Sequence, residues 1–480
     1  MRHSQNIASA VLSQARQVST VTAPSLVPYP KALAAVGPCQ KSALRGEGHP
    51  GGLGRAGADV PEGAGRLVEL LEAQMPRSEL GEHLTARKWF PEPVAGAVDL
   101  AALDGQLEPD VFELLAPGAC PEVGDPGRWL FLDTETTGIT GGTGTYPFLV
   151  GMAWWDAGGL EVEQLFMRDY GDEQSVLLAL AERIAGRPVL ATFNGKSFDW
   201  PLLETRYRMT RLIAPPKLRA HLDFLHPARN LWRLSIGSTR LAELELKILG
   251  WNRGSDLNSS MIPQIYFDYL RGGPPEPLLP VFHHNQMDLR GLAALAARIV
   301  SLLGNAEKHP RNGLELFGLS RICERRGHQV RARKHYAQSL TRRLPVETDR
   351  AARSSLARLA KREGDFALAI ELWEGLLGDS QQGLEAYEQL AIYYEHRARE
   401  PHRAAALAER ALGELRSARR RGLIAAACYR QCRERFHERL ARLQRKLARA
   451  LRPLPFESCE APKESNPKRD KGGNAYVGIG

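Results

Sequence analysis

Cysteine is scarce in this chain: six residues, Cys39, Cys120, Cys323, Cys428, Cys432 and Cys459, are spread over 480 positions. That is too thin for a disulfide framework, so a reducing compartment fits and a cytoplasmic location is expected. Long apolar runs are missing as well. Even FLVGMAWW and LIAAAC fall far short of the roughly 18 residues a bilayer crossing needs, and no membrane span is expected. Acidic residues are absent from the first 46 positions, which carry Arg2, Arg16, Lys31, Lys41 and Arg45 and lead into GEGHPGGLGRAGADVPEGAG. This composition predicts a disordered N-terminus over 1–65. It bears only a faint similarity to a transit peptide and has no apolar core of a secretory signal.

The rest is ordinary in composition, with 43% hydrophobic and 25% charged residues, so most of the chain has the means to bury a core. Its length exceeds what one core serves, and two or three units are expected. The net charge of +9 is unevenly placed. Residues 124–304 carry 18 basic against 19 acidic side chains, whereas 311–450 carry 30 against 17, an excess of +13. A near-neutral unit followed by a strongly basic one suggests that the second contacts a polyanion, nucleic acid first among them. A solvated arginine-rich helical surface is the plainer alternative.

Residues 66–123 begin with a short helical pattern, LVELLEAQM, and form a lead-in of no evident role. From Arg128 the rhythm becomes WLFLDTE, YPFLVGMAWWD and LEVEQLFMRD, then a helix ending near Ala185, then PVLATFNG and HLDFL. Three strand patterns in succession followed by helix and strand in alternation predict an α/β domain with a mixed sheet, closed by an apolar helix from about Gln286 to Leu303. Beyond residue 311 strand patterns vanish. The segments 319–340, 358–377 and 390–412 align with Gly327 and Gly364, Ala332, Ala369 and Ala404, and Leu340, Leu377 and Leu412 in register, spaced by 37 or 35 residues. That period predicts tetratricopeptide-like helix pairs over 311–450. The last segment, 451–480, reads as a solvated tail.

In WLFLDTETTG, Asp133 and Glu135 stand two apart, so the two-residue period of a strand turns both carboxylates to one face. The apolar residues before them imply a buried strand. Such a pair is tolerable there when cations neutralise it, and hard oxygen ligands select Mg²⁺ or Mn²⁺. In LATFNGKSFDWPLL, Asn194 and Gly195 end a strand and Asp199 opens a helix before Pro201, where a simple cap is the plain alternative. In FHHNQMDLRGLAALAARI, Asp288 opens an apolar helix, and Asn285 with Asp288 is spaced like a weak capping box.

The three motifs FLDTETTG, FNGKSFDWP and HHNQMD, in that order, resemble those of the DEDD superfamily of ribonuclease-H-like 3′→5′ exonucleases. TGGTGTYPFLVG, HLDFLHPARNLWR, LAELELKILGWNR and IPQIYFDYLRGG are similar to its YprB-type bacterial branch, over about 124–304. The resemblance implies a ribonuclease-H-like domain with a mixed five-stranded sheet and flanking helices. It also implies four metal-binding carboxylates, Asp133, Glu135, Asp199 and Asp288, holding two ions that act on a scissile phosphate from both sides. A histidine would take the proton of the attacking water. His283 fits an H-x4-D spacing, whereas His284 fits the HNxxD pattern and, in a continuous helix, lies about 40° from Asp288 against about 140° for His283. His284 is preferred; a helix starting only at Asn285 would void the angle argument. Thr136, Thr137, Asn194 and Lys196 are placed to contact the terminal nucleotide.

The reading is therefore a metal-dependent exonuclease acting on DNA or RNA 3′ ends, with a basic helical array that holds nucleic acid or a protein partner. Its rival is a non-catalytic nucleic-acid-binding and protein-interaction scaffold. Cys428, Cys432 and His437 offer three zinc-ligand types with no fourth nearby, and are expected to be buried helix positions rather than a metal site. The run from Arg416 to Arg449 holds twelve basic residues against Glu434 and Glu438, either a phosphate-binding surface or a solvated helix face.

Overall fold

The computed structural model describes residues 63–91, 103, 105–119, 124–138, 143–156, 158–304, 312–378 and 380–450. The N-terminal segment up to 62 and the tail from 451, both expected to be disordered, lie outside these residues. Residues 63–65 begin helix α1 (Gly63–Leu71). By spatial contact the chain forms two compact units, 1–372 and 373–480, so the division falls inside the helical array.

The first unit is built on a six-stranded sheet of β1 (Leu84–Phe90), β2 (Trp129–Thr136), β3 (Pro147–Asp156), β4 (Gly159–Phe166), β5 (Val189–Thr192) and β6 (Ala220–Asp223). Their order is β1-β4-β3-β2-β5-β6. β2, β3 and β4 pair antiparallel, and β5 and β6 add parallel to β2, giving the mixed direction expected. The expectation of five strands is corrected, because β1 from the lead-in pairs antiparallel with β4 and becomes an edge. Its sequence, LTARKWF, hides a strand because Arg87 reaches across the ladder to the buried Glu163, Nη2 to Oε1 at 2.6 Å. A charge that would look misplaced on a strand is thus consumed by a partner 76 positions away.

Trp129, Leu130, Phe131 and Leu132 are almost wholly buried, so β2 has apolar contacts on both faces before it delivers its carboxylates at the C-terminal end. The core spans β2, β3, β4, α3 (Glu173–Gly186), α4 (Asp199–Thr210), α7 (Ile262–Leu270) and the start of α8 (Leu279–Gly304). Between lie α2 (Pro109–Leu115), before β2, and α5 (Leu225–Ile236) and α6 (Leu241–Leu244), after β6.

Helix α8 begins at Leu279, seven positions before the expected start, with Pro280 in its first turn, where a missing N–H costs nothing. The polar HHN triplet does not break the helix. It points its inner members at the sheet, with His284 and Asn285 buried and His283 exposed. The capping-box reading of Asn285 with Asp288 is therefore corrected: both sit inside the helix.

Helices follow without strands: α9 (Gly313–Arg325), α10 (Gln329–Leu340), α11 (Val346–Arg362), α12 (Phe366–Glu374), α13 (Gln381–His396), α14 (Pro401–Arg420) and α15 (Ala426–Ala450). Gly327 and Gly364 make the turns between α9 and α10 and between α11 and α12, at φ +81° and +82°, a conformation that favours glycine. Ala332, Ala369 and Ala404 are fully buried in the second helix of each pair. Within the second unit, Glu395 is buried and gathers Arg439, Arg442 and Lys446. Part of the arginine-rich run is thus paired with an internal carboxylate, although Arg442 and Lys446 stay about half exposed. Cys432 is buried as expected, but Cys428 and His437 are exposed. His437 lies about 140° around α15 from Cys432, away from the stripe of Cys432, Phe436 and Leu443, whereas Cys428 stands one turn before Cys432, Sγ to Sγ at 4.0 Å, in the first turn of the helix.

Candidate active site

The site forms where the C-terminal end of β2 meets the N-termini of α4 and α8. In the β2–β3 ladder Asp133 lies opposite Gly151 and Glu135 opposite Leu149, and the register slips between Glu135 and Thr136. Gly151 is required there, since a Cβ would lie 2.0 Å from Asn285 Oδ1. The space it leaves lets Asn285 reach the strand. Asn285 Nδ2 donates to Asp133 Oδ2 at 2.8 Å, and its Oδ1 accepts from Gln164 Nε2 at 2.8 Å, which fixes the amide's direction. Asp199, in the first turn of α4, accepts from Thr134 Oγ1 at 2.6 Å. Thr134 is the residue between Asp133 and Glu135, so neighbouring positions of β2 serve two carboxylates.

Asp288 projects from α8 one turn after His284, whose Nε2 lies 3.5 Å from Asp288 Oδ2 and 4.0 Å from Glu135 Oε1. Donor atoms of Glu135, His284 and Asp288 fall within 4.8 Å of one another. The other face of the ring is held: Nδ1 lies 2.7 Å from Asp256 Oδ1. A carboxylate only accepts, so a neutral His284 carries its proton on Nδ1 and turns its Nε2 lone pair toward Glu135 and Asp288.

Asp256 belongs to a group that the sequence reading missed. Arg253 donates through Nη1 to Asp256 Oδ2 at 3.0 Å and through Nη2 to Asp288 Oδ1 at 2.5 Å, and it also pairs with the fully buried Glu245. Glu245 follows α6 in a wide π-type turn, an irregularity often found near functional sites. Gly291 leaves it room, because a Cβ there would meet Glu245 Oε1 at 1.6 Å. In the sequence the motif LAELELKILGWNR carries Glu245 and Arg253 with no role attached to them, and the polar stretch WNRGSDLN that continues it marked the loop of Asp256.

Electrostatics explain why the cluster calls for cations. Burial, then Asp288 and Asp199, push the Asp133 carboxyl well above its ordinary value. Burial, then Asp133 and Asp288, do the same to Glu135, and burial raises Asp199 against the hydrogen bond from Thr134. Burial also works to raise Asp256, but the hydrogen bond from His284 and the charge of Arg253 outweigh it and hold Asp256 low. Glu135 and Asp288 offer ligand atoms beside His284, and Asp133 and Asp199 lie near enough to raise the Glu135 carboxyl, so oxygen donors of the kind that hold Mg²⁺ or Mn²⁺ are present, with Arg253 at one edge.

The remaining expected residues lie around this cluster. Thr136 donates to the Gly138 carbonyl at 2.9 Å, and Thr137 Oγ1 accepts from the Tyr146 N–H at 2.9 Å. Asn194, at φ +70°, and Lys196 give their backbone N–H groups to Asp223, at 2.8 and 3.2 Å, while the Lys196 side chain is exposed. Their hydroxyl and backbone groups thus shape the loops.

A family model of the RNase H superfamily matches residues 130–300. The uncharacterised protein YprB of Bacillus subtilis (strain 168) is 30% identical over 321 residues, 66% of this chain and 74% of YprB. The chain belongs to the YprB family. It carries an RNase H-like nuclease superfamily domain, and nucleic acid is the substrate class that domain implies. No helix among the described residues is long and apolar enough to cross a membrane.

The raised carboxyls make a pH prediction. Each is still protonated in the fold at a pH where the unfolded chain has ionised, so the stability they contribute is full below about pH 4 and is lost as pH rises through the folded values. The melting temperature of metal-free protein should therefore fall more steeply, as pH rises above the ordinary carboxylate range, than that of Glu135→Gln, which has no carboxyl there to ionise. Mn²⁺ or Mg²⁺ at a hundredfold excess over its dissociation constant should restore about 2.7 kcal/mol near neutrality. Parallel melting curves for the two proteins would contradict this origin of the shifts.

Proposed function

We propose that the protein is a divalent-metal-dependent 3′→5′ exonuclease of the DEDD type. The observation that carries the reading is the convergence of Asp133, Glu135, Asp199 and Asp288 with an oriented histidine. Asp133, Glu135, Asp199 and Asp288 would hold the ions, two of them in this reading. Bound there, the ions neutralise the scissile phosphate and ease deprotonation of the attacking water.

His284 accepts the proton of that water at Nε2. Asp256 keeps the Nδ1 proton in place, so the ring presents the correct tautomer and then carries its positive charge beside a carboxylate. Arg253 ties Asp256 to Asp288, so base and ligand keep one geometry. Asn285 locks Asp133 to α8. Lys196 lies on the turn before Asp199 as a counter-ion for substrate phosphate, and Thr136, Thr137 and Asn194 border the terminal nucleotide. The test is release of single nucleotides from DNA and RNA labelled at either end, with Mg²⁺ or Mn²⁺ and with chelator. Ordered loss of a 3′ label dependent on metal is expected, and no cleavage of any end would overturn the reading.

We read the helices after residue 312 as a tetratricopeptide-like array whose arginines hold nucleic acid. Arg430, Arg433, Arg445 and Arg449 are exposed on α15, whereas Arg439, Arg442 and Lys446 are spent on Glu395. Replacing the first four by alanine should flatten the log-affinity against log-salt line by about 0.7 per lost contact on single strands. An unchanged slope would assign this face to a protein partner instead.

A further inference from the structure

Beside the turn that leads into Asp199 lies a cleft of about 420 Å³ between the end of the sheet, α5 and α9. Its basic lining is Lys196, His226, Arg229, Arg325 and Arg326, and its sole carboxylate among the described residues is Asp223. Asp223 is buried, and its oxygens are taken by the backbone N–H groups of Asn194, Lys196 and Leu225. It therefore closes the turn and offers little to a cation in the cleft. Arg325 donates to a neutral group, Asn230 Oδ1 at 2.9 Å, and among the described residues no ion pair takes Arg229, Arg325 or Arg326. All five basic side chains are exposed.

Helix α9 is held against α5 by firm contacts. Trp232 Nε1 donates to Glu315 at 2.8 Å, and Gly318 lies so close to Asn230 and Leu231 that a Cβ would stand 2.4 Å from the Asn230 carbonyl. The two helices thus present their arginines at a set spacing. Four permanent cations and a histidine around a groove that opens at the catalytic turn form an electrostatic path for a chain of phosphates.

We propose that this cleft binds the sugar-phosphate backbone of the single strand behind its 3′-terminal nucleotide, and that the first helix of the array is part of the substrate site. The inference rests on the nuclease reading for the strand's direction, but not for its binding. Nucleotides at the 3′ end sit over the carboxylates. The phosphates next along the strand pass Lys196 and reach Arg229 and Arg326.

The test uses the full chain without divalent metal, so that no cleavage intervenes, and fluorescence anisotropy of labelled single-stranded oligonucleotides of increasing length. Arg229→Glu with Arg326→Glu should weaken binding at least tenfold for long oligonucleotides and flatten the salt slope by about 1.4, two contacts at about 0.7 each. The loss should shrink toward nothing for a dinucleotide, which is too short to reach the cleft. Arg77→Glu with Arg271→Glu, which changes net charge equally at exposed sites elsewhere, should lose far less. The milder Arg229→Ala with Arg326→Ala gives the same pattern at smaller size and covers any folding defect of the reversal. Wild-type affinity in both cleft variants, an equal loss in the control, or a loss independent of length would overturn the proposal. A wild-type protein that binds strands this way but never cuts them would overturn the nuclease reading alone.

Discussion

Asp133→Ala is expected to reduce metal-dependent nucleotide release by about 10³-fold or more, equivalent to roughly 4 kcal/mol of transition-state stabilisation, while the protein stays folded. The two halves of this expectation have separate causes. Activity falls because the strand loses one of the carboxylates proposed to hold the ions. Stability changes less because two effects oppose each other. The Asp133 carboxyl is raised well above its ordinary value by burial and by its acidic neighbours, so keeping it in the metal-free fold at neutral pH is costly and its removal relieves that cost. Against this, Asn285 Nδ2 loses its acceptor, a cost of about 1–3 kcal/mol for a buried donor. The Asn285 amide still holds Gln164 and has the Asp133 backbone carbonyl at 3.5 Å, which limits that cost. Melting temperatures within a few degrees, measured beside a nuclease assay in Mg²⁺ or Mn²⁺, would support both halves. Undiminished cleavage by this variant would overturn the enzyme assignment.

How much of the site could be read in advance follows from how far each signal extends along the chain. Asp133 and Glu135 were legible because a period of two and an apolar run lie within eight residues, and Asp199 because a strand, a glycine turn and a proline punctuate its surroundings. The edge strand β1 was not legible, since Arg87 makes sense only beside Glu163, and that pairing is made by the sheet. The early start of α8 was obscured for a similar reason. His284 and Asn285 look like breaks in an apolar pattern until the strand they face is known to carry acids. Arg253, Asp256 and Glu245 come from a loop and an irregular turn without periodicity, and their meaning lies wholly in what they touch. Local patterns thus marked Asp133 and Glu135, the motif resemblance added Asp199 and Asp288, and tertiary contacts supplied the groups that hold them in place.

The choice between the two histidines now turns on position in the helix. His284→Ala is expected to cut the turnover rate by about 10²–10⁴-fold, the usual worth of a positioned general base, with metal-induced stabilisation largely kept. His283→Ala should change it by no more than about twofold on the same scale. Because α8 is continuous from Leu279, the angular argument holds: His284 is one turn before Asp288 on its face, and His283 points to solvent. Asp256→Asn sharpens the test. Arg253 Nη1 donates to one carboxylate oxygen, so the amide carbonyl is drawn to that side and the amide N–H₂ is turned toward His284 Nδ1, against the weaker preference of the Leu257 N–H. That donor stabilises the tautomer protonated at Nε2, which has no lone pair to take the proton of water. Asp256→Asn should therefore be at least as slow as Asp256→Ala, although it keeps the shape, and the loss should appear in kcat more than in KM. Rescue by the isosteric asparagine would reduce Asp256 to a structural role, and a larger effect at His283 than at His284 would move the base to the exposed face of the helix and undo the proposed mechanism.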